Sequence, residues 1–458
     1  MLTGLLLALS LTSGIAPIAL HPDNPHYFLF RGKPAILLTS GEHYGAVLNT
    51  GFDTARYLKE LQTRRFNYTR IFTGAYCEDP KSFNIRNNTL APGPGAFVCP
   101  WARSITPGYA NGGSKFDLAR WDESYFRRLK SFCSDAGKRG IAIEISLFCP
   151  FYEESMWSLS PMNERNNVNG IGRSGREDVY ALKHADLTDT QNALTRKMAQ
   201  ELAGFDNVIF EICNEPYFGG VTLAWQRHIS GVLAEEERKT GVRHLIAQNI
   251  ANGSASVKDP DPEVSVLNFH YASPPDAVAR NSDLRRVIGF DETGFKGSAD
   301  LPYRTEGWDF LMAGGGLYNN LDYSFTVQSP QGAAEVTPPT PGGGGPDLRQ
   351  QLSILQKFFT RLDFVKMHPA NELIVAKLPE GASARVLAEA GRMYAAYIKS
   401  GRAESLTLDL PAGRYSPEWT HPKTGETERP PAIRHAGGRL ELPVPHYDED
   451  IALRLVRR

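Results

Sequence analysis

The sequence predicts an α/β fold, a (β/α)8 TIM barrel followed by a small C-terminal antiparallel β-sandwich. From residue 34 to about residue 365, short apolar segments alternate with amphipathic segments of helical period. Several apolar segments run directly into acidic or other polar residues, as strands do at the carboxyl face of such a barrel. After residue 368 the pattern changes to short strands separated by turn residues, which is typical of a small sandwich.

The predicted strands of the barrel cover residues 34–40, 67–73, 140–148, 208–213, 244–248, 264–269, 286–291 and 316–325. The predicted helices cover residues 53–64, 122–138, 189–204, 222–240, 306–312 and 348–364. Aspartate or threonine begins four of these helices, and basic residues end the helix at 222–240, in agreement with the helix dipole. Strands and helices that alternate at this spacing predict a closed parallel barrel.

The length of 458 residues exceeds what one hydrophobic core supports, so we expect a barrel domain at 20–367 and a β-sandwich domain at 368–458. Residues 1–19, with an apolar run at 2–11, are predicted to be a removed secretory signal, which implies a secreted or periplasmic protein. A structured N-terminal strand is the alternative. The 50 basic and 51 acidic residues balance, so the sequence shows no electrostatic footprint for nucleic acid. No later stretch is long and apolar enough to insert into a membrane.

Two long insertions rich in glycine, proline and aromatic residues follow the second and third strands, at 74–118 and 150–187. We expect them to be structureless loops that cover the mouth of a pocket. Cys77 and Cys99 share the first loop, and the sequence leaves open whether they form a disulfide or remain free thiols. No cysteine and histidine spacing resembles a zinc site, and no glycine-rich turn resembles a phosphate cradle, so neither a metal nor a cofactor is predicted.

Two acids at strand ends are the strongest functional signal. The apolar segment at 208–213 runs into Asn214-Glu215-Pro216, and the segment at 286–291 ends in Glu292 followed by a glycine turn. Because the strand tips of a closed barrel surround one pocket, Glu215 and Glu292 are expected to face each other. Hydrolysis of a glycosidic bond uses such a pair, with one carboxyl group as the acid and the other as the attacking group.

Arg70 lies within the second strand, where a charged side chain is costly unless it is paired. One interpretation is a buried salt bridge with Glu144 or Glu211, which also lie within strands. The other is a cation that keeps the attacking carboxylate ionised. Both interpretations are compatible with a barrel interior that brings these strands together.

These features together resemble the clan A glycoside hydrolases, the cellulase-like superfamily, over most of residues 21–365. The resemblance rests on Asn-Glu-Pro after strand four, Glu292 after strand seven, Arg70 in strand two and His270-Tyr271 after strand six. It implies that Glu215 is the general acid/base and Glu292 the nucleophile, at the separation of about 5 Å that retaining enzymes use. It also implies that Asn214 contacts the 2-hydroxyl of the sugar, that Arg70 supports Glu292, and that His270 or Tyr271 bonds in the same region.

The sequence departs from the family pattern at strand eight, where the usual tryptophan is not evident and Tyr318, Asn319 and Asp322 stand instead. Asp291 competes with Glu292 for the role of nucleophile, since alternation allows only one of these neighbours to face the pocket. The turn Trp419-x-x-Pro-x-Thr-Gly resembles one in the small β-domain, sometimes called collagen-binding, that follows many cellulase-like glycosidases. That resemblance implies a structural appendage.

The sequence therefore predicts a secreted retaining β-glycosidase that acts on a carbohydrate substrate. Burial and the charge of Glu292 are expected to raise the pKa of Glu215, so that it carries a proton before attack. The further residues predicted to bind substrate are Glu42, His43, Asn319 and Asp322. One alternative is a non-catalytic carbohydrate-binding protein on a degenerate barrel, and another is a metal-dependent hydrolase that uses Glu42, His43 and His270.

Overall fold

The computed structural model describes residues 16–458, and its centre is a nearly closed barrel of eight parallel strands. The strands are β1 (Leu37–Gly41), β2 (Tyr68–Phe72), β3 (Ala142–Phe148), β4 (Val208–Cys213), β5 (Leu245–Asn252), β6 (Val266–His270), β7 (Val287–Glu292) and β8 (Leu317–Leu321). This confirms the predicted fold class. Most of the predicted secretory signal at 1–19 lies outside the described residues.

The barrel closes between β1 and β2 through the side chain of Asn67. The other neighbours pair in the order β1-β8-β7-β6-β5-β4-β3-β2. Asn67 donates from Nδ2 to the carbonyl oxygen of Ile36 (2.8 Å) and accepts from the backbone N–H of Leu38 (2.9 Å). The amide side chain thus supplies hydrogen bonds where the two strands do not form a ladder.

The barrel interior changes from apolar at its amino end to charged at its carboxyl end. One buried apolar residue from each strand forms the lower layer: Leu37, Tyr68, Ala142, Ile209, Ala247, Val266, Val287 and Leu317. A small antiparallel sheet (Ala19–Leu20, Phe28–Phe30 and Lys33–Ala35) covers this end. The layer above contains Arg70, Glu144, Glu211 and Asp291, all buried. The fold therefore directs its polar interior toward the carboxyl face, where barrel enzymes place their sites.

The helices are α1 (Thr54–Thr63), α2 (Glu123–Lys138), α3 (Glu154–Trp157), α4 (Ala185–Leu202), α5 (Leu223–Thr240), α6 (Asp276–Arg280), α7 (Asp300–Met312) and α8 (Pro346–Phe359). Asp53 and Asp122 cap α1 and α2 by accepting backbone N–H bonds, as their positions predict. The short helices α3 and α6 were not predicted, and α7 begins six residues earlier than predicted. Among the described residues, no helix has the length and apolar character needed to cross a membrane.

The first long insertion is more ordered than predicted. Within residues 74–118, Trp101–Pro107 pairs with Ser114–Trp121 as an antiparallel hairpin, so the expectation of a structureless loop is wrong here. Cys77 and Cys99 are both buried free thiols, which excludes the disulfide that the sequence left open.

The C-terminal domain is a two-sheet antiparallel sandwich, as predicted. Its strands are β9 (His368–Pro369), β10 (Ser383–Glu389), β11 (Met393–Lys399), β12 (Ser405–Leu410), β13 (Gly413–Thr420), β14 (Thr427–Glu428), β15 (Ile433–His435), β16 (Gly438–Pro443) and β17 (Asp450–Arg457). The larger sheet has the order β9-β10-β11-β17-β13-β14, with β15 beside β13, and β12 pairs with β16. Trp308 of α7 stacks on Tyr397 of β11 with ring centres 5.3 Å apart, which fastens the sandwich to the barrel.

Candidate active site

A cavity of about 320 Å³ lies at the carboxyl ends of the barrel strands. Residues that end or follow each of the eight strands contribute to its wall: His43, Tyr44, Phe72, Glu78, Phe83, Ile85, Leu90, Cys149, Tyr152, Asn214, Glu215, Phe218, Asn252, Tyr271, Glu292, Phe295, Leu321, Tyr323 and Pro341. Every strand-to-helix connection therefore contributes to one cavity at the carboxyl face of the barrel.

Glu215 lies in the wall just beyond the end of β4, with a backbone φ of 34° that non-glycine residues seldom adopt. Its Oε2 accepts a hydrogen bond from the Tyr152 hydroxyl at 2.7 Å. Its Oε1 lies 3.0 Å from His270 Nδ1 and accepts from the Tyr217 hydroxyl at 3.3 Å. Strained backbone and three partners together hold this carboxyl group in one orientation.

Glu292 ends β7 and accepts hydrogen bonds from two phenols. The Tyr44 hydroxyl donates to Oε2 at 2.7 Å, and the Tyr271 hydroxyl donates to Oε1 at 2.6 Å. The guanidinium of Arg70 lies behind it, with Nη1 3.6 Å from Oε2. Donors and a cation around both oxygens favour the ionised carboxylate, the form that can attack.

Asp291, the competitor for the role of nucleophile, lies below the wall. The pairing register shifts so that Phe269 faces Phe290 whereas His270 faces Glu292, which leaves Asp291 in a bulge. Both acids therefore point inward, and the simple alternation argument is wrong at this position. Asp291 is fully buried and lies 3.4 Å from His270 Nε2, whereas Glu292 reaches the cavity.

The two wall carboxylates lie close enough to act on one atom. Oxygens of Glu215 and Glu292 and a ring nitrogen of His270 all lie within 4.8 Å of one another. Retaining glycosidases hold their carboxyl groups about 5–5.5 Å apart, and inverting ones about 6.5–9.5 Å apart. Both acids therefore border one small volume, in which a sugar carbon could contact both groups.

Arg70 is the centre of the buried charge cluster. It donates from Nη2 to Glu211 Oε2 and, at 2.8 Å, to Asn214 Oδ1. Its Nε lies 3.4 Å from Asp291 Oδ2 and 4.0 Å from Glu144 Oε1. Arg70 therefore forms the buried salt bridges considered from the sequence, and it also lies beside Glu292 as a neighbouring positive charge.

The protonation order in the unliganded site differs from the expected one. Burial lowers the pKa of His270, but the charges of Glu292 and Asp291 outweigh it and raise that pKa well above its usual value. Burial alone would raise the pKa of Glu215, yet hydrogen bonds from His270, Tyr152 and Tyr217 and the charge on His270 lower it overall. Burial, together with the charge of Glu215, raises the pKa of Glu292. The expected rise at Glu215 is therefore wrong for the unliganded site.

The structure gathers most of the predicted site residues. His43, Asn214, Glu215, Tyr271 and Glu292 line the cavity, and Arg70 and His270 lie directly behind that wall.

Glu42, Asn319 and Asp322 do not reach the cavity, because each is held in a structural role. Glu42 accepts from the backbone N–H groups of the turn that follows β1, and Asn319 donates to the carbonyl oxygen of Asp291 at 2.9 Å. Asp322 pairs with Arg349 at 2.7 Å. The prediction that these three bind substrate is not supported by their positions.

Several residues of the connecting loops were not predicted for the site, among them Glu78, Tyr152 and Tyr323, which line the cavity, and Tyr217, which donates to Glu215. Tyr323 follows β8 and occupies the wall near the position where a tryptophan was sought, whereas Tyr318 is buried with its hydroxyl donating to the carbonyl oxygen of Tyr303. The aromatic run at 151–152 was a usable signal for Tyr152, but nothing in the sequence marked Glu78.

Two trios of side chains could geometrically hold a cation within residues 16–458: Glu215 with His270 and Glu292, and Glu144 with Glu211 and Asp291. The second trio already surrounds the guanidinium of Arg70. The Glu42, His43 and His270 set considered from the sequence is not among them.

No family model matches the sequence, and no curated protein matches it. Solved structures do share its fold. A candidate glycoside hydrolase from Bacteroides vulgatus ATCC 8482 superimposes with a TM-score of 0.69 at 14% identity, over 97% of this chain and 83% of that chain. A second structure, named glycoside hydrolase, superimposes with a TM-score of 0.65 at 14% identity, over 96% of this chain and 97% of that chain. A glycoside hydrolase family 5 protein from the same Bacteroides strain superimposes with a TM-score of 0.63 at 14% identity, over 96% of this chain and 93% of that chain.

This likeness confirms at the level of the fold the resemblance to clan A glycoside hydrolases. It covers nearly the whole chain, so the trailing β-domain is shared together with the barrel. At 14% identity the likeness does not extend to activity, which has to be argued from the cavity itself.

Proposed function

We propose that the protein is a retaining β-glycosidase that hydrolyses a poly- or oligosaccharide, with Glu292 as nucleophile and Glu215 as general acid/base. The observation that carries the proposal is the pair of cavity-facing carboxylates with oxygens within 4.8 Å of each other, at the strand ends of a barrel shared with glycoside hydrolases. The apolar segment at residues 2–11 favours an exported enzyme that meets its substrate outside the cytoplasm.

The chemistry proceeds in two displacements. Glu292 attacks the anomeric carbon while the proton of Glu215 passes to the glycosidic oxygen, so the leaving group departs as an alcohol and a glycosyl ester remains. Glu215, now ionised, takes a proton from water, the water oxygen attacks the same carbon, and Glu292 is released. Arg70 and the phenols of Tyr44 and Tyr271 stabilise the carboxylate of Glu292 as it leaves.

The first step needs a proton on Glu215, although its pKa is lowered in the unliganded site. Because the two carboxyl groups interact closely and share His270, they titrate as a coupled pair, with two apparent pKa values that belong to the pair and not to either residue. Substrate that fills the cavity removes water from Glu215 and brings the glycosidic oxygen against it, which favours the protonated form. We therefore expect a bell-shaped pH profile for kcat/KM that belongs to the pair of carboxyl groups.

Azide rescue tests the two roles separately, after a panel of 4-nitrophenyl β-glycosides has identified a substrate. Glu292→Ala should accept azide from the free face and yield the α-glycosyl azide. Glu215→Ala should form the glycosyl enzyme on an activated substrate and yield the β-glycosyl azide. The same anomer from both variants would refute the assignment. Sugar binding without turnover by the wild-type protein would favour the alternative of a non-catalytic binding protein.

A further inference from the structure

A polar patch in the cavity wall takes no part in the two displacements. It consists of Glu78, from the loop after β2, and His43, from the end of β1, which are 5% and 7% exposed. His43 Nε2 lies 3.7 Å from Glu78 Oε1, which is longer than a hydrogen bond. The two side chains are therefore neighbours that form no hydrogen bond with each other.

Both members of this patch keep hydrogen-bonding capacity. Glu78 accepts one bond at each oxygen, from the Tyr76 hydroxyl at 3.1 Å and from the Asn88 amide, and a carboxylate oxygen can accept a second. Within the described part of the chain, neither ring nitrogen of His43 makes a hydrogen bond: Nδ1 is buried without a partner, and Nε2 lies beside Glu78 beyond hydrogen-bond distance. Burial and the nearby charge of Arg70 lower the pKa of His43 to about 3, so the ring is neutral and offers one donor and one acceptor.

The patch lies on the side of the cavity that belongs to Glu292. The ring of His43 packs against those of Tyr44 and Tyr323, at 5.4 and 5.7 Å between centres, and the Tyr44 hydroxyl donates to Glu292. Exposed aromatic rings border the cavity on both sides, since Phe218 beside Glu215 is 43% exposed and Phe295, which packs on Tyr271 beside Glu292, is 68% exposed. A sugar attacked by Glu292 would face the polar patch.

The surroundings restrict what can enter. The loop after β2 contributes Phe83, Ile85 and Leu90 to the wall, and Pro341 comes from the loop after β8. Of the lining residues in the part of the chain that the structure describes, three are glutamates and none is lysine or arginine. A negatively charged sugar would meet carboxyl groups at the wall itself, whereas the cations Arg70 and His270 lie behind it, paired with those carboxyl groups.

We infer that Glu78 and His43 bind neighbouring hydroxyl groups of the uncharged sugar unit that Glu292 attacks. The inference rests on the proposed glycosidase function and adds to it the class of the substrate. The carboxylate accepts from one hydroxyl group, and the imidazole exchanges a hydrogen bond with the next.

The test compares Glu78→Gln with wild type on the best 4-nitrophenyl β-glycoside and on its monodeoxy analogues. Burial raises the pKa of Glu78 to about 7, so the assay is run at pH 8, where the carboxylate is ionised. We expect kcat/KM to fall about 10- to 100-fold on the parent glycoside, the loss of one charge-assisted hydrogen bond. On the analogue that lacks the bonded hydroxyl, the variant and wild type should differ less than threefold. A change that is equal on every analogue, or no change on any, would overturn the inference.

Glu237→Gln is the matched control, since Glu237 is buried, does not line the cavity and pairs with His244. It should leave kcat/KM unchanged. The matching β-uronide should react at least 100-fold more slowly than the parent glycoside, and comparable rates would contradict a pocket for uncharged sugars.

Iminosugar binding, followed by calorimetry, separates this inference from the proposed function. If wild type hydrolyses glycosides and Glu78→Gln binds the matching iminosugar as tightly as wild type, only the inference fails. If wild type neither hydrolyses any glycoside nor binds any iminosugar, the proposed function fails and the inference fails with it.

Discussion

Arg304, at the interface between the barrel and the β-sandwich, and Arg70, below the cavity, are equally buried at 1% exposure but differ in their partners. Arg304 donates to both oxygens of Asp450 at 3.0 Å, to Gln351 at 2.7 Å and to Glu449 at 2.6 Å. Arg70 donates only from Nη2, and within residues 16–458 its Nε and Nη1 lack hydrogen-bond partners although carboxylates lie nearby.

The site also contains unusual backbone conformations. Three residues of the site, Tyr44, Glu215 and Tyr271, have φ values of 56°, 34° and 50°, in the region that costs side-chain-bearing residues free energy. Each guanidinium nitrogen of Arg304 has a partner, whereas the cavity above Arg70 presents strained backbone and carboxyl groups that can accept further hydrogen bonds from a substrate. Complete clusters therefore support the structure, and incomplete ones point to binding and catalysis.

The largest expected effect that separates the two regions is on activity. Glu292→Gln should lower kcat by about four orders of magnitude, because it removes the attacking group. The free energy of unfolding should stay the same or increase, since burial disfavours the charge of Glu292, as its raised pKa shows, and Gln carries no charge. Turnover of an aryl glycoside and urea unfolding measure the two quantities. If Glu292→Gln kept a tenth of wild-type kcat, or lost several kcal/mol of unfolding free energy, the proposed difference between the site and the interface would be wrong.

The converse change is Arg304→Met at the interface. It leaves Asp450 buried without its cation, which should cost about 3–5 kcal/mol of unfolding free energy and leave kcat/KM within twofold of wild type. Arg361→Met is the control, because Arg361 pairs with Glu418 but is 40% exposed, and its loss should cost at most about 1 kcal/mol. If both variants lost the same unfolding free energy, burial would not determine how much these ion pairs contribute to stability.

The sequence predicted the parts of the site that the strands carry. Glu215, Glu292 and Arg70 were found because apolar segments fix where strands end, and a closed barrel then brings those ends together. The bulge at Asp291 was not foreseen, since it depends on the pairing of β6 with β7 and not on either strand alone. That single irregularity decides how two neighbouring acids share the inner face.

The loops could not be predicted in this way. Glu78 reaches the wall only because the connection after β2 folds back with Asn88 and Tyr76 around its carboxyl group. Asp322 was expected in the cavity because it follows a strand. It instead forms a buried ion pair with Arg349 of α8, which lies outside the cavity. Polar residues near strand ends are good candidates, but tertiary partners decide which of them are free to bind substrate.

The pH dependence of stability should also separate the two regions. Burial raises the pKa of Glu42, beneath the cavity, to about 7 from 4.5, so the stability present below pH 4.5 is lost as the pH rises toward 7. Relative to Glu42→Gln, wild type should lose about 3 kcal/mol of unfolding free energy between pH 5 and pH 8. Urea unfolding at both pH values measures the difference.

Glu418→Gln at the interface is the matched control for that measurement. Hydrogen bonds from Arg361, opposed by burial, lower the pKa of Glu418 to about 2. Its carboxylate is therefore ionised in the folded and unfolded states throughout pH 5 to 8, and the difference between wild type and this variant should not change over that range. A flat difference for Glu42→Gln as well would refute the raised pKa beneath the cavity.

The smallest expected effects come from two phenol hydroxyls that each donate to one buried carboxylate. Tyr44 donates to Glu292 at 2.7 Å, and Tyr397 donates to Asp450 at 2.9 Å. Tyr44→Phe should lower kcat/KM about tenfold, and Tyr397→Phe should instead cost about 1–2 kcal/mol of stability. Because Tyr44 favours the ionised form of Glu292, its loss should also move the acidic limb of the pH profile upward. If the two variants affected activity and stability alike, the distinction between a binding cluster and a structural cluster would fail.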